Sequence, residues 1–316
     1  LGGAVLMPPA SEHFVGPPHW EWYILGYFVF AGLSGGSYAL ATLLRHWGTG
    51  RDEEAVRLGF LTAFPAIVVC PILLTLDLGQ PVRFWHMMVD TTPGGTGLNF
   101  SYWSPMSVGV WALLLYGLFP TVSFLQTLVR DRVLRWPLAV RLAGLLDAID
   151  LPFNVVGTVL GLFVASYTGV LLSVSNQPIW SDTWALGGLF LASGLSGAVA
   201  LLTLLVRYRP AASASEDYLR AVDGYFVLLE VVLLVAFFVT IGLAGTLGMA
   251  LELPWLLLWV LVVLSLVPPL THVAGARMQL GGRATAALEA TGVAVPALVL
   301  VGVIALRMAV IFSAQF

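Results

Sequence analysis

Long apolar runs, each bounded by charged, proline or glycine residues, recur eight times along the chain. They lie at 22–44, 57–77, 105–129, 151–174, 184–206, 222–249, 254–274 and 290–313. A helix of about 20 mostly apolar residues is long enough to cross the hydrocarbon of a bilayer. Because a backbone in lipid must satisfy its own hydrogen bonds, these runs predict helices and not strands. The pattern predicts an all-α, polytopic membrane protein with eight transmembrane helices.

The amino-acid composition indicates a protein that lies in a lipid bilayer, and it limits the cofactors that the protein could bind. Of the 316 residues, 59% are hydrophobic and 10% are charged, whereas about a quarter of the residues in soluble domains are charged. The net charge of −3 offers no basic surface for nucleic acid. The single cysteine, Cys70, cannot hold an iron–sulfur cluster, and no two histidines are placed to ligate a haem inside the membrane. We therefore expect neither group in this protein.

Arginine is distributed unevenly between the two sets of connections. All 14 basic residues are arginines, and twelve of them lie in the first, third, fifth and seventh connections. Arg83 lies on the opposite side, and Arg307 lies within the last helix. Because cytoplasmic loops collect positive charge, both termini and the 78–104 loop are predicted to face outward, away from the cytoplasm.

The first and fifth predicted helices share an internal repeat. GLSGGSYALATLL at 32–44 resembles GLSGAVALLTLL at 194–205 with one residue dropped. Small residues also recur in membrane helices because they let backbones approach closely, so packing alone could produce such a likeness. Since both helices run in the same direction, we interpret the repeat as a parallel duplication. It predicts two four-helix bundles, 1–175 and 176–316.

The 78–104 loop and the helices beside it carry a set of motifs. The stretch 76–106 reads LDLGQPVRFWHMMVDTTPGGTGLNFSYWSPM, and loops of this length usually have a function. Together with FAGLSGGSYALATLL in helix 1, SPMSVGVW opening helix 3 and YTGVLLSVSNQPIW ending helix 4, it resembles the NrfD/PsrC family of the polysulfide reductase type. No general membrane constraint demands DLGxPxRF followed by SPMSxGxW and YTGxLL.

The resemblance implies a function, a membrane and partners. Family members are integral quinone-reactive subunits of prokaryotic cytoplasmic membranes, with eight helices in two bundles and no haem. Menaquinone or ubiquinone would be the bound substrate. A ferredoxin-like four-cluster iron–sulfur subunit would dock on the outer face and connect to a molybdopterin catalytic subunit. The family also includes the quinol-oxidising subunits of alternative complex III, which are longer and have ten helices.

Seven polar residues share the outer depth of the predicted bundle. Ionisable groups inside a membrane are costly and usually mark a site or a path. Reduction of a quinone needs two electrons and two protons, and Tyr or His donors backed by a carboxylate suit it. We predict a quinone pocket from these residues, in which Tyr167, His19 and Asp77 are catalytic. The set is His19, Glu21, Asp77, Arg83, His86, Tyr167 and Arg307.

The resemblance supports two members of this set and leaves others open. In the family, a tyrosine near the outer end of this helix and polar residues opening helix 1 are implicated in quinone binding, which supports Tyr167 and His19. Tyr167 could instead be an interfacial aromatic residue, and His19 a surface histidine. Asp77 could form a structural ion pair with Arg307.

Glu230, Asp223 and Asp147 lie toward the inner face. Glu230 is predicted to lie about 12 Å into the membrane from residue 222, where a carboxyl group is protonated or paired. We predict that these residues form a proton path from the cytoplasm toward the outer pocket, coupled to proton translocation. The alternative is a neutral glutamic acid that ties helices together.

The sequence therefore predicts the membrane anchor and quinone-reactive subunit of a respiratory oxidoreductase, a subunit that does not act alone on the terminal substrate. Thr91 to Trp103 is the candidate docking surface for the iron–sulfur partner. A secondary transporter is the alternative from another class, because parallel repeats and buried carboxylates occur there too. Such a transporter would show helices interrupted in corresponding places of both halves. Helix 2 contains Pro65 and Pro71, whereas helix 6 contains no proline.

Overall fold

The structure is a computed structural model, and its described residues contain ten α-helices and no strand. It describes residues 18, 20–91, 95, 97–209, 215–278 and 292–315, excepting the side chains of residues 51, 217 and 272–278. The helices are α1 Trp22–Trp47, α2 Glu53–Asp77, α3 Pro105–Arg130, α4 Pro137–Asp147, α5 Asp150–Ser173, α6 Leu186–Arg207, α7 Glu216–Ala244, α8 Leu247–Leu251, α9 Trp255–Met278 and α10 Ala294–Ser313.

Among the described residues, seven helices are long and apolar enough to cross a membrane, namely α1, α2, α3, α5, α6, α7 and α10. The apolar part of α9 is shorter, Trp255–Thr271. These helices coincide with the apolar runs in the sequence. The predicted all-α, polytopic membrane architecture is therefore confirmed.

Two connections differ from the prediction. The connection between α3 and α5 contains α4, which hydropathy does not predict because an 11-residue helix is too short to span a bilayer. The sixth apolar run was predicted to continue to residue 249, but α7 ends at Ala244. Gly245 has a φ of +85°, the left-handed conformation that commonly ends a helix.

Three of the arginine-bearing connections meet at one end of the helix bundle, which we call the arginine-rich end. Arg57, from the first connection, lies 2.6 Å from Asp131 of the third, measured from Nε to Oδ2. Arg209 of the fifth connection lies 3.4 Å from Glu54, measured from Nη1 to Oε1. The ion pairs thus join connections that are far apart in sequence.

Asp52 adds a further link at the same end. Its carboxylate accepts hydrogen bonds from Ser215 Oγ at 2.7 Å, from the Thr49 N–H at 2.7 Å and from the Thr49 hydroxyl at 2.8 Å. Burial opposes ionisation of Asp52, but these hydrogen bonds outweigh burial, so the pKa of Asp52 lies below its ordinary value. The first and fifth connections are therefore held together by a charge-assisted hydrogen bond.

The two copies of the repeated motif pack directly against each other. A β-carbon added at Gly194 would lie 3.0 Å from the Cα of Gly32, the residue at the equivalent position of the motif. A β-carbon at Gly36 would lie 2.6 Å from the β-carbon of Ala198. Small residues allow this close approach of α1 and α6. Because α1 also packs against α2 and α5, it is the central helix of the described bundle.

Candidate functional site

A cavity of about 240 Å³ lies at the end of the bundle opposite the arginine-rich end. Its wall comes from the beginning of α1, the end of α2, the beginning of α3 and the end of α5. Phe84, Met87 and Met88 of the 78–104 loop complete it. Most of the lining side chains are apolar, which is typical of pockets that hold small organic molecules.

Four polar side chains belong to the cavity wall: Tyr27, Thr75, Asp77 and Tyr167. Asp77 is the last residue of α2, and Tyr167 lies near the end of α5. The fold thus brings two of the three residues predicted to be catalytic into one cavity, although they are 90 positions apart in sequence. A few convergent polar groups in an apolar cavity are the usual composition of a binding site.

Neighbouring helices hold Tyr167 in place. Its side chain is 7% exposed, and its hydroxyl donates to the carbonyl of Pro105, the first residue of α3. Its ring stacks on Phe163 with centroids 5.9 Å apart. A β-carbon at Gly109 would lie 2.5 Å from the Tyr167 hydroxyl oxygen, so only glycine leaves room for the ring there. The close contact of α3 with α5 therefore fixes the phenol in the wall.

Asp77 has an acidic neighbour and no ion pair with Arg307. Glu21, the residue before α1, is exposed and lies close enough to Asp77 to interact with it electrostatically. Glu21 does not line the cavity. The described side chains of Asp77 and Arg307 form no ion pair. The structure therefore does not show the ion pair with Arg307 that was the alternative role for Asp77.

Three other residues predicted for the pocket lie elsewhere or are not described. Arg83 and His86 belong to a 3₁₀ segment, Pro81–Met87, and neither lines the cavity. The His86 carbonyl accepts a hydrogen bond from Asn99 Nδ2 at 3.3 Å. His19 lies outside the described residues, whereas the next residue, Trp20, lines the cavity.

Arg307 lies in the bundle interior and not in the cavity wall. Its side chain is 0% exposed. Nε donates to the Phe28 carbonyl at 3.2 Å, Nη1 to Ser193 Oγ at 2.6 Å and Nη2 to the Phe190 carbonyl at 3.1 Å. The guanidinium thus joins α10 to α1 and α6 through neutral acceptors. Hydropathy indicates how deep Arg307 lies in the membrane but not which way its side chain points. The prediction therefore placed Arg307 in the quinone pocket.

Glu230 and Asp223 form an acidic pair along α7. Glu230 is 3% exposed, and its electrostatic neighbours are Arg307 and Asp223. Asp223 accepts a hydrogen bond from Ser196 Oγ at 2.9 Å. It also lines a second cavity of about 50 Å³, together with Arg207. Asp223 therefore shares a cavity with an arginine of the arginine-rich end, whereas Glu230 does not line that cavity.

Asp147 lies apart from this pair. It is the last residue of α4, its side chain is 55% exposed, and it forms an ion pair with Arg130. It also accepts a hydrogen bond from Gln126 Nε2 at 2.8 Å. The structure thus places Asp147 in the first half of the protein and does not bring it to Asp223.

Tyr27 is a cavity residue that the sequence-based prediction missed. It is 4% exposed, lies in the second turn of α1, and is an electrostatic neighbour of Tyr167. A tyrosine inside an apolar helix is more often a core residue, so it gave no clear signal. Its spacing of three residues from Ile24, which also lines the cavity, could have indicated a shared helix face.

Comparisons with known proteins agree with these features. Residues 11–316 match the family described as Polysulphide reductase, NrfD. The C polypeptide of polysulfide reductase from Wolinella succinogenes is 31% identical over 231 residues, which cover 70% of this protein and 69% of that relative. Protein NrfD of Escherichia coli is 28% identical over 237 residues, 71% of this protein and 72% of that relative. A shorter stretch of 74 residues, 23% of this protein, is 35% identical to the C polypeptide of selenate reductase from Mesobacillus selenatarsenatis and covers 17% of it. The protein therefore belongs to the NrfD family of polysulphide reductase membrane proteins.

Proposed function

We propose that this protein is the quinone-reactive membrane subunit of a respiratory oxidoreductase complex. Its relatives include proteins named as components of polysulfide reductase and of selenate reductase, which supports a membrane subunit of a reductase complex. The observation that carries the proposal is the apolar cavity whose few polar groups include Tyr27, Asp77 and Tyr167.

The cavity residues suit the chemistry of a quinone head group. Apolar walls hold a planar ring, and the phenols of Tyr27 and Tyr167 can donate hydrogen bonds to its carbonyl oxygens. The Tyr167 hydroxyl, which now donates to Pro105, can turn about its C–O bond toward a bound carbonyl. Asp77 can return a proton to a donor that has given one up. Menaquinone and ubiquinone both fit this description.

The surface beside the cavity suits a peripheral electron-transfer partner. Phe84, Trp85, Phe100, Tyr102 and Trp103 are all exposed. They lie between α2 and α3, outside the helices that are apolar enough to span a membrane. A large exposed aromatic patch commonly marks an interaction site. We assign it to a ferredoxin-like iron–sulfur subunit that connects to a molybdopterin catalytic subunit.

The predicted docking segment, Thr91 to Trp103, is described in part. Residues 92–94 and 96 lie outside the described residues. Phe100, Tyr102 and Trp103 belong to the described portion of the segment and contribute three rings of the exposed patch. The docking proposal therefore rests on these aromatic side chains together with those of Phe84 and Trp85.

Orientation and proton supply complete the proposal. Because arginine collects on the cytoplasmic side of membrane proteins, the cavity end faces outward from a prokaryotic cytoplasmic membrane, with both termini on that side. Glu230 and Asp223 form a proton path from the arginine-rich end, whereas Asp147, also predicted for this path, pairs with Arg130 and does not contact them. The quinone site then belongs to the first half, 1–175, and the path through Asp223 and Glu230 belongs to the second half, 176–316.

Purification of the native complex tests the proposal. We expect a co-purifying protein with four ferredoxin-type cysteine clusters and quinone-dependent turnover. A protein that purifies alone and transports a solute would instead support the transporter alternative.

A variant tests the site itself. Tyr167→Phe keeps the ring and removes the hydroxyl, so we expect about a hundredfold loss of quinone turnover with assembly intact. Tyr225→Phe, an exposed tyrosine of α7, is the matched control and should turn over normally. Normal turnover in Tyr167→Phe would remove this residue from the site.

A further inference from the structure

A stripe of polar side chains runs the length of α1 on one face. Tyr27, Ser34, Tyr38, Thr42 and His46 are spaced by four or seven residues, which places them above one another on a helix. The first four are buried, and His46 is partly buried at the arginine-rich end. The rise from Tyr27 to His46 is about 28 Å, close to the thickness of the hydrocarbon core.

The inner part of this stripe is a continuous hydrogen-bonded cluster. The Tyr38 hydroxyl is 3.0 Å from Ser123 Oγ and donates to Asn154 Oδ1 at 3.2 Å. Asn154 Nδ2 is 3.2 Å from His46 Nε2. The same ring nitrogen lies 3.7 Å from Asp150 Oδ2. Polar groups of α1, α3 and α5 are therefore linked from the arginine-rich end into the membrane interior.

The outer part of the stripe reaches the cavity wall. The Tyr116 hydroxyl of α3 is 3.0 Å from Ser34 Oγ, which donates to the Ala63 carbonyl at 2.8 Å. The Tyr38 and Tyr116 rings meet edge to face with centroids 6.1 Å apart, so this layer packs against the inner cluster without a direct hydrogen bond between the two hydroxyls. Farther out, Cys70 Sγ lies 3.8 Å from the carbonyl of Tyr27, a wall residue.

Glycines of α5 make room for the two buried tyrosines. A β-carbon at Gly157 would lie 2.7 Å from the Tyr38 hydroxyl oxygen, and one at Gly161 would lie 2.8 Å from a ring carbon of Tyr116. Burying the hydroxyl groups of Tyr38 and Tyr116 costs free energy that apolar side chains in the same space would not cost. Polar groups kept inside a membrane usually serve a path or a site.

We propose that this column carries protons between the arginine-rich end and the cavity, through the first half of the protein. The inference rests on the quinone site proposed above and adds a route separate from Glu230 and Asp223. Two electrons from the iron–sulfur partner and two protons convert a quinone to a quinol. The His46 imidazole takes up a proton on one ring nitrogen and releases one from the other to a bridging water, while Asn154 orients the Tyr38 hydroxyl and carries no proton itself. Each hydroxyl then receives a proton on its oxygen and releases its own hydrogen to the next water or hydroxyl, so no residue is consumed.

The purified complex, reconstituted in liposomes with the arginine-rich end facing the lumen, tests this route. Quinone turnover and luminal alkalinisation are measured together during quinone reduction. Tyr38→Phe and Tyr116→Phe keep both rings and remove one hydroxyl each. We expect turnover per intact complex to fall about tenfold or more, with less luminal alkalinisation per quinone reduced. Ser37→Ala, on the same helix with a buried hydroxyl that has no hydrogen-bond partner among the described residues, should match the wild type.

The outcomes separate this inference from the proposed function. If Tyr38→Phe and Tyr116→Phe keep wild-type turnover and alkalinisation while Tyr167→Phe is slow, the column only ties helices together and the quinone site remains. If Glu230→Gln alone abolishes luminal alkalinisation, protons travel through the second half and the column is overturned. If Tyr167→Phe also turns over normally, the quinone site has failed.

Discussion

Tyr167 and Gly109 touch so closely that a β-carbon on residue 109 would lie 2.5 Å from the phenol oxygen. The contact joins the beginning of α3 to the end of α5 at the wall of the cavity. The glycine therefore controls where the phenol lies. This contact brings SPMSxGxW and YTGxLL, two motifs far apart in the sequence, to the wall of one cavity.

Gly109→Ala should displace the Tyr167 ring from the wall. We expect quinone turnover to fall about tenfold, equivalent to about 1.4 kcal/mol of activation free energy, while the complex still assembles. Gly117→Ala is the matched control, because a β-carbon at Gly117 on the same helix meets nothing within 4 Å. Equal turnover in the two variants would show that the position of the phenol does not matter.

Asp77→Asn removes the carboxylate of the cavity and keeps its shape. Because an amide cannot return a proton to a neighbouring donor, quinone turnover should fall about a hundredfold without loss of assembly. Glu252→Gln neutralises an exposed carboxylate at the same end of the bundle and should leave turnover unchanged. A loss of similar size in Glu252→Gln would mean that surface charge, and not Asp77, is responsible.

Arg307→Met should destabilise the protein more than any change of an exposed arginine. The substitution removes the hydrogen bonds that the buried guanidinium donates to the Phe28 and Phe190 carbonyls and to Ser193 Oγ, and each hydrogen bond of a charged group contributes about 1.5–3 kcal/mol. Arg307→Lys should be intermediate, because an ammonium keeps the charge but lacks the planar fork.

Thermal unfolding in detergent measures this order of stability. Arg83→Met, at an exposed position, should change the free energy of unfolding by less than about 0.5 kcal/mol. A stable Arg307→Met protein would show that its hydrogen bonds do not hold α1, α6 and α10 together.

Cysteine labelling tests which end of the bundle faces outward. The native Cys70 is buried, so single cysteines placed at exposed positions can be followed above a low background. Trp184→Cys, at an exposed position in the connection between α5 and α6 at the cavity end, should react in whole cells with a maleimide that cannot cross membranes. Val133→Cys, at the arginine-rich end, should react only after the cells are permeabilised. The opposite labelling pattern would overturn the outward cavity and the docking surface.

The lengths of the apolar runs were sufficient to predict the helices, because crossing a bilayer demands a minimum length of apolar residues. The YTGxLL motif singled out Tyr167, which lies in the cavity wall, and its role there stays a prediction. Both features are local in the sequence, so neither depends on which helices are neighbours.

Helix packing decided the rest of the candidate site. A membrane helix is apolar on nearly all sides, so periodicity does not show which face meets protein and which meets lipid. Arg307 therefore proved to point into the interior, while Tyr27 joined the cavity wall. The polar contacts of the proposed column likewise form only where hydroxyl groups of α1 and α3 and the Asn154 amide of α5 come within hydrogen-bonding distance.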